Sequence, residues 1–361
     1  MIKNKMVWLF TSFYLMHIIG MIYTDNTSFG LFDLEIKLSF LLFPIMFASF
    51  NSITSKSYYN ILLALVFGCA VAGLANLGMG YLNFQETGDI REMLYGQLSF
   101  FHHPTYFAMY IVLCVTFMIH ALLFRQEYIP NSNKRLFLVL IPFFILMVIL
   151  LMSKSGLLSL LLLLIITIGY AIVKKNFRLA GGVTAAIVLS VGIALYAVPG
   201  VFDRIASSIT IAFQSTDEID ASTIESTAGR ILVWSQAVEL IKDHPLIGVG
   251  TGDVKEALVK KYAESGMDGI EEKRLNAHNQ FLQSFAALGI FGFMSLVLGL
   301  FIASYKAIRQ NNLVYVMFIL IIVVNALTES ILEVQAGVIF YAFFNSFFMF
   351  LNPISIRKNI P

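Results

Sequence analysis

The chain alternates between long apolar runs and short polar breaks. Ten of the runs are close to 20 residues long, which is the length that an α-helix needs to cross the hydrocarbon core of a bilayer. They predict membrane-spanning helices at residues 6–23, 31–50, 59–79, 104–124, 135–152, 155–173, 179–198, 280–304, 313–331 and 336–351. The fifth and sixth runs are nearly continuous and meet at residues 153–156, which predicts a tight hairpin. We therefore predict an all-α, polytopic membrane protein with about ten transmembrane helices.

One long polar stretch interrupts this pattern. Residues 199–278 hold 8 of the 24 Lys and Arg residues and 13 of the 22 Asp and Glu residues. The stretch divides the chain into helices one to seven (1–198), a segment outside the membrane (199–278), and helices eight to ten with a tail (279–361). A protein that only anchored a partner would not need a large folded segment here. We expect this segment to lie over the bilayer and to act on something held there.

The arrangement of charge predicts the orientation in the membrane. Only 13% of residues are charged and mean hydropathy is +0.81, whereas soluble domains are about a quarter charged. With the N-terminus inside, the cytoplasmic positions carry 13 basic residues against one acid, Glu127. Cytoplasmic loops are enriched in Lys and Arg. We therefore expect both termini in the cytoplasm, the bacterial inner membrane as the location, and the polar segment in the periplasm.

The polar segment itself is predicted to be helical after an acid-rich loop at 199–225, which contains Asp217-Glu218-Ile219-Asp220. A first helix is expected from Ser226/Thr227 to Lys242, where His244-Pro245 ends it. Its apolar spacing predicts one buried stripe at Ile231, Trp234, Val238 and Ile241. A second helix is expected after Asp253, which can cap it, with one apolar face at Val254, Leu258 and Tyr262.

Two residues of the polar segment are the main candidates for chemistry. Arg230 lies near the start of its helix, where the helix dipole disfavours a cation, so it is either a clamp for phosphate or a surface arginine paired with Glu225 or Asp243. His278 lies at the membrane boundary and is either a general base or an interfacial, capping histidine. Asn279 beside it can orient the ring or bind sugar.

Other polar residues lie near the predicted outer face. Lys154, in the hairpin, is either functional or a lysine that reaches to the lipid headgroups. Glu329 and Glu333 either partner a cation, bind an acceptor or mark a helix end, and Glu35 and Lys37 raise the same question. His102 and His103 are adjacent but point apart, and no third ligand is near, so we predict no metal site.

Several classes of ligand and bond are not expected. The glycines at 248–252 lack the lysine of a phosphate-binding loop and follow no strand, so they are no nucleotide signature. We therefore predict no cofactor and no nucleic-acid partner. The two cysteines, Cys69 and Cys114, lie in apolar runs and are interpreted as packing residues.

An ordered set of residues resembles the O-antigen ligase/polymerase superfamily of bacterial envelopes. The set comprises Arg230, Trp234, Ala237, Pro245-Leu246-Ile247-Gly248-Val249-Gly250, His278-Asn279 and Leu288-Gly289-Ile290-Phe291-Gly292, with Ser153-Lys154-Ser155-Gly156 similar to the family's serine-basic-glycine turn. The resemblance implies a GT-C-like, metal-independent glycosyltransferase. Such an enzyme moves a glycan from an undecaprenyl-pyrophosphate carrier to an acceptor hydroxyl on the outer face of the membrane.

The resemblance also implies roles for single residues. Arg230 and Lys154 would bind the pyrophosphate, and Arg230 and His278 would be catalytic. Apart from the resemblance, Asn279, Glu329 and His103 are candidates for supporting or acceptor-binding residues. Family members commonly have about twelve spans and an arginine at the turn, whereas this chain has ten predicted spans and Lys154.

The resemblance leaves the acceptor open. In ligases it is lipid A-core sugar, in polymerases another lipid-linked repeat, and in a third branch a protein Ser or Thr. We favour the ligase because the outer segment is a single loop. A lipid-glycan transporter is the rival from another class. Against it, the candidate charges cluster at one face and no internal repeat is visible.

Overall fold

The fold is helical throughout the part of the chain that the structure describes. A computed structural model describes residues 4–50, 53–124, 130–173, 175, 177–197, 210 and 226–351. Short 3₁₀ helices occur at Met21–Tyr23, Ile90–Met93 and Ile331–Glu333. The α-helices are α1 Lys5–Gly20, α2 Thr27–Lys37, α3 Ser39–Ser49, α4 Ser55–Thr87, α5 Tyr95–Leu98, α6 Pro104–Phe124, α7 Asn131–Leu150, α8 Lys154–Val173, α9 Phe177–Ala197, α10 Ser226–Asp243, α11 Val254–Glu264, α12 Asp268–Lys273, α13 Gln280–Arg309, α14 Leu313–Ala326 and α15 Gln335–Phe350.

Within these residues, six helical stretches are long and apolar enough to cross a membrane. They are Lys5–Tyr23, Ser55–Thr87, Pro104–Leu123, Ser132–Leu150, Lys154–Val173 and Gln280–Arg309. Two shorter apolar helices are Leu313–Ala326 and Gln335–Phe350. These helices fit the predicted polytopic membrane protein. The count of ten spans and the outward position of the polar segment stay predictions.

Three predicted spans differ from the observed helices. The single span predicted at 31–50 is formed by α2 and α3, which meet at Leu38. Helix α4 has 33 residues and is therefore about 50 Å long, well beyond the 30 Å or so of the hydrocarbon core. Helix α14 ends at Ala326, before the predicted end at 331, because the polar run after Leu327 leaves the helix and forms a turn.

The chain divides into two compact units. The first comprises Met1–Asn51, Phe202–Lys306 and Ala326–Leu351, and the second comprises Ser52–Val201, Ala307–Asn325 and Asn352–Pro361. In the first unit, α15 packs on α2 and α3, and α3 packs on α1. Phe343 of α15 lies edge-on to Phe43 and Phe47 of α3, with ring centroids 5.3 and 5.1 Å apart. These aromatic contacts hold the first unit together near α3.

The second unit is built around α6, which packs on α4, α7 and α8. Helix α6 is apolar on every side, and residues 111–115 are fully buried. A tight hairpin is present as predicted, but its turn lies at residues 151–153 and not at 153–156, because α7 ends at Leu150 and α8 begins at Lys154. The hydroxyl of Ser153 accepts the backbone N–H of Gly156 (3.2 Å) and so caps α8. A Cβ at Gly156 would lie within 3.0 Å of Ala108, so only glycine fits there.

Two helices of the polar segment form as predicted, but one buries another face. Helix α11 buries Val254, Leu258 and Tyr262, which confirms the prediction, and burial raises the pKa of Tyr262. In α10 the predicted stripe is wrong, because Val238 is 40% exposed. The buried residues are instead Ala228, Leu232, Val233, Ala237 and Leu240. Both stripes have helical spacing, so periodicity alone could not choose between them. Apart from residue 210, the loop predicted at 199–225, with its acidic run at 217–220, lies outside the described residues.

Candidate active site

The start of α13 is fixed by Asn279. Its side-chain oxygen accepts the backbone N–H groups of Phe281 (3.0 Å) and Leu282 (3.2 Å), which is the geometry of a helix cap. Its amide nitrogen donates to the carbonyl of Leu327 (3.1 Å). Asn279 therefore caps α13 and holds it against the turn that follows α14. The sequence did not assign this role, and the predicted contact with sugar stays a prediction.

His278 precedes this cap in a left-handed backbone conformation, with φ of 43°. Residues other than glycine rarely adopt this backbone conformation, and a residue held in it often lies at a functional site. Its backbone N–H donates to the side chain of Asn276 (3.0 Å). The ring is 24% exposed, and its Nδ1 atom lies 2.9 Å from Oε1 of Glu329. The cap and the backbone turn thus direct the imidazole onto a carboxylate.

Glu329 contacts both of the main candidates. Its side chain is only 11% exposed, and Oε1 also accepts the backbone N–H of Ser330 (3.2 Å). Its second oxygen, Oε2, lies 3.7 Å from Nη2 of Arg230. This distance is that of a loose ion pair and is too long for a hydrogen bond. One buried carboxylate therefore bridges an imidazole and a guanidinium, and burial makes both contacts stronger than they would be in water.

Arg230 is the fifth residue of α10, and its side chain is 24% exposed. The Nε atom of Arg230 and the indole Nε1 of Trp234 are buried, and neither has a hydrogen-bond partner among the described residues. The two residues are one turn apart, so they share a face of the helix. Buried donors of this kind call for an acceptor. Phosphate oxygens are one class of acceptor that suits them.

The alternatives considered for Arg230 are resolved in part. Asp243 is not its partner, because Asp243 lies 2.7 Å from Nζ of Lys261. The hydrogen bond from Lys261 lowers the pKa of Asp243. Glu225, the other partner considered, lies outside the described residues. The structure instead places Glu329, which had not been named as a partner for Arg230, beside its guanidinium.

The glycine-rich motif at 245–250 hydrogen-bonds to the backbone of α13 where that helix is interrupted. At Gly289 the backbone has φ of 62° and ψ of −162°, which interrupts the helix. The N–H groups of Val249 and Gly250 donate to the carbonyls of Ala286 (3.0 Å) and Ala287 (2.9 Å). In return, the N–H of Ile290 donates to the carbonyl of Pro245 (3.0 Å). The two motifs that carry the family resemblance therefore bind each other, and they fix the end of α10 against α13.

The other predicted site residues lie in the second unit. Lys154 is the first residue of α8, and its side chain is half-buried. The Nδ1 atom of His103 accepts the N–H of Thr105 (3.4 Å), and its ring meets those of Tyr95 and Tyr106 edge-on. Their predicted roles in pyrophosphate binding and acceptor binding stay predictions. In the described part of the chain, no group of three His, Cys, Asp or Glu side chains is placed to hold a metal.

A second polar cluster contains Glu333 and Lys37, for which a charged partner was one of the alternatives, and Gln280, which had been given no role. Gln280 donates to Oε1 of Glu333 (3.0 Å) and accepts the N–H of Leu332 (2.6 Å). Lys37 donates to Oε2 of Glu333 (2.9 Å) and pairs with Asp33. The signal in the sequence was the presence of ionisable residues inside apolar runs. Asp33 lies one helical turn before Lys37, but the partners on residues 332–333 are more than 50 positions away and left no mark in the local pattern.

Fold and site together define a multi-pass, all-helical membrane protein with a histidine–carboxylate–arginine contact. Residues 136–297 match the protein family described as O-antigen ligase. The match confirms the resemblance to the O-antigen ligase/polymerase superfamily, whose members are glycosyltransferase-like enzymes. It includes Lys154, Arg230 and His278, whereas Glu329 lies beyond it. None of the curated proteins compared with the chain matches it.

Proposed function

We propose that this protein transfers a glycan from undecaprenyl pyrophosphate to an acceptor hydroxyl, and that Arg230, His278 and Glu329 carry the reaction. The observation on which the proposal rests is the contact of one buried carboxylate with both His278 (2.9 Å) and Arg230 (3.7 Å). The acceptor oxygen loses its proton and bonds to the anomeric carbon of the donor sugar. The bond from that carbon to the pyrophosphate oxygen breaks, and the leaving group keeps the electron pair.

His278 acts as the general base in this scheme. Glu329 accepts a hydrogen bond from Nδ1–H, which fixes the tautomer in which Nε2 carries the free electron pair. Nε2 then takes the proton of the acceptor hydroxyl, and the carboxylate stabilises the imidazolium that forms. General base catalysis typically contributes about 10²–10⁴-fold to a rate. The partial exposure of the ring leaves it accessible to an acceptor.

Arg230 stabilises the pyrophosphate leaving group. Its guanidinium presents a planar fork that matches phosphate oxygens, and its contact with Glu329 is loose enough to admit a second anion. The indole N–H of Trp234, one turn away, offers a further donor. Fixed donors in a water-poor site stabilise developing charge far better than they would in bulk water. Arg230 and Trp234 therefore stabilise the negative charge that develops on the oxygens of the leaving pyrophosphate.

Membrane residence fits this donor. Apolar helices precede and follow the polar segment in the chain, and in the proposal they bind the polyprenyl tail. The 13 basic residues at the predicted cytoplasmic positions place the polar segment on the other side of the membrane in this proposal. The reaction would then occur on the outer face of the bacterial inner membrane. We propose the ligase activity, with lipid A-core sugar as the acceptor. A polymerase would use the same three residues with a second lipid-linked repeat as its acceptor.

Variants in cells test the catalytic assignment. We expect Arg230→Ala and His278→Ala to abolish surface glycan while the protein still accumulates in the membrane. His244→Ala and Lys242→Ala are matched controls, because both side chains are exposed and lie in the same segment. These two should retain wild-type glycan. Wild-type glycan with either site variant would reject the assignment.

Purified protein distinguishes the possible activities. One reaction contains lipid-linked repeats alone, and a second also contains lipid A-core. Product only in the second reaction indicates the ligase that we propose, whereas a growing ladder in the first indicates a polymerase. Movement of labelled lipid-linked sugar across a vesicle membrane, with no new glycosidic bond, would identify a transporter and refute the proposal.

A further inference from the structure

A buried ion cluster adjoins the candidate active site in the first unit. We use this name for Asp33, Lys37 and Glu333. The Lys37 side chain is fully buried, and its ammonium pairs with Asp33 and lies 2.9 Å from Oε2 of Glu333. His17 lies beside Asp33, with Nδ1 3.2 Å from Oδ2. Charges removed from water are costly unless paired, and ionisable groups inside membrane proteins are commonly functional.

The cluster is joined to the site by a short chain of hydrogen bonds. The other carboxylate oxygen of Glu333, Oε1, accepts a hydrogen bond from the side-chain amide of Gln280 (3.0 Å). The amide oxygen of Gln280 accepts the backbone N–H of Leu332 (2.6 Å). Gln280 lies two residues after His278, and Glu333 lies four residues after Glu329. The cluster therefore ends on the same two segments that carry the imidazole and its carboxylate.

We infer that Lys37 is a positioning residue for the contact between His278 and Glu329, acting through Glu333 and Gln280. This inference rests on the proposed function. The ammonium of Lys37 donates to Oε2 of Glu333 and so holds the carboxylate in the orientation in which Oε1 accepts from Gln280. Gln280 in turn holds residues 278–280 in register with residues 329–333. A displacement of about 1 Å in such a pair is enough to lower a rate by about 10²-fold.

The expected effect of removing the cation is on turnover. In Lys37→Met the carboxylate of Glu333 loses the donor to Oε2, so it can turn away and release Gln280. We expect kcat to fall by about tenfold or more, with KM for the donor within about twofold of wild type, because Lys37 does not touch substrate. Glu35→Gln is the matched control, since Glu35 lies on the same helix and is exposed. It should leave kcat unchanged.

A combined variant tests whether Lys37 acts through Glu333. In Lys37→Met with Asp33→Asn and Glu333→Gln, neither acid that paired with Lys37 keeps an unpaired charge, and the new amide oxygen at residue 333 still accepts from Gln280. We expect kcat to return to within about threefold of wild type, as coupled residues do not behave additively. Gln280→Met leaves the pair of Lys37 and Glu333 intact but cuts its link to Leu332. It should lower kcat as Lys37→Met does, which keeps the test decisive if Lys37→Met fails to fold.

The measurement uses the full chain in nanodiscs with an undecaprenyl-pyrophosphate-linked oligosaccharide as donor. Alongside kcat and KM, the rate at which diethyl pyrocarbonate modifies His278 is followed by mass spectrometry. We expect faster modification in Lys37→Met and Gln280→Met, because the ring is released from Glu329. A role in stability alone would change the melting temperature but not this rate in the folded protein.

The outcomes separate this inference from the proposed function. If wild-type protein forms no glycosidic bond, the proposed function fails, and the modification rates alone decide whether Lys37 positions His278. If wild-type protein is active, the inference is overturned when folded Lys37→Met and Gln280→Met retain wild-type kcat and wild-type modification of His278. It is also overturned when the combined variant of Lys37, Asp33 and Glu333 is no more active than Lys37→Met.

Discussion

Nδ1 of His278 lies 2.9 Å from Oε1 of Glu329, although 51 positions separate the two residues in the chain. Hydrogen bonds on either side bring them together, from Asn279 to Leu327 and between Gln280 and Leu332. A carboxylate that binds one nitrogen of an imidazole determines what the other nitrogen can do. The chemistry that we assign to His278 therefore depends on Glu329 as much as on the histidine itself.

The charge of Glu329 is expected to matter more than its shape. In Glu329→Gln, the amide can still hydrogen-bond the ring but cannot stabilise an imidazolium. We expect kcat/KM for glycan transfer to fall by about 10²-fold, a loss within the range of general base catalysis. Glu272→Gln, an exposed carboxylate in the same unit, serves as the control and should be fully active. Transfer by Glu329→Gln at the wild-type rate would exclude Glu329 from the mechanism.

The planar fork of Arg230 gives a second prediction. Arg230→Lys keeps the positive charge but loses the second donor arm and the buried Nε. We expect it to retain more activity than Arg230→Ala but to remain at least about tenfold below wild type in kcat/KM for the lipid-pyrophosphate donor. Steady-state kinetics with varied donor measure this difference. If Arg230→Lys matches wild type, a point charge is sufficient and bidentate binding of phosphate is wrong.

Local patterns predicted a good part of this fold. The hairpin before Lys154, the end of α10 and the buried face of α11 all depend on residues within a few positions of one another. Periodicity and turn-forming residues report such short-range structure directly. The family resemblance could also be recognised from the sequence, because each of its two glycine motifs is a short local pattern. In the structure the two motifs hydrogen-bond to each other around Gly289.

Long-range structure was harder to predict. The face that α10 buries depends on which neighbours it meets, and the single stripe that we predicted from helical spacing was the wrong one. Glu329 was proposed as a partner for a cation, but nothing local to it indicates His278 and Arg230 as the residues it contacts. Lys37 was visible as a charged residue in apolar surroundings, whereas Gln280 had not been singled out. Glu333, which contacts both, was identified as their partner only by the three-dimensional structure.

Asp253 gives a third prediction, about the loop between α1 and α2. It was predicted to cap α11, but its carboxylate accepts the backbone N–H groups of Asp25 and Asn26 (both 2.8 Å). Asp253→Ala leaves both groups without this acceptor, and we expect unfolding free energy to fall by about 1–3 kcal/mol. Glu239→Ala is the control, because its exposed pair with Lys242 contributes about 0–1 kcal/mol. Equal melting temperatures for the two variants would contradict this role.

The break in α13 gives the last prediction. Gly289 has φ of 62° and ψ of −162°, a region that is essentially restricted to glycine and costs other residues about 1–3 kcal/mol. A Cβ there would also lie within 3.0 Å of the backbone of Leu246, which belongs to the motif that closes the break. Gly289→Ala must therefore either break the hydrogen bonds between this motif and α13 or straighten the helix.

We expect the purified Gly289→Ala variant to lose the folded, monodisperse fraction at a clearly lower temperature than wild type. This is measured by size-exclusion chromatography after heating. Gly299→Ala is the matched control, because this glycine lies in the same helix and a Cβ there would meet nothing closer than 3.9 Å. In a helix interior alanine is favoured over glycine by about 1 kcal/mol, so the control should be as stable as wild type or more so. If Gly289→Ala is equally stable, α13 does not need the break to fold, and the contact between the two family motifs is not what fixes α10 against α13.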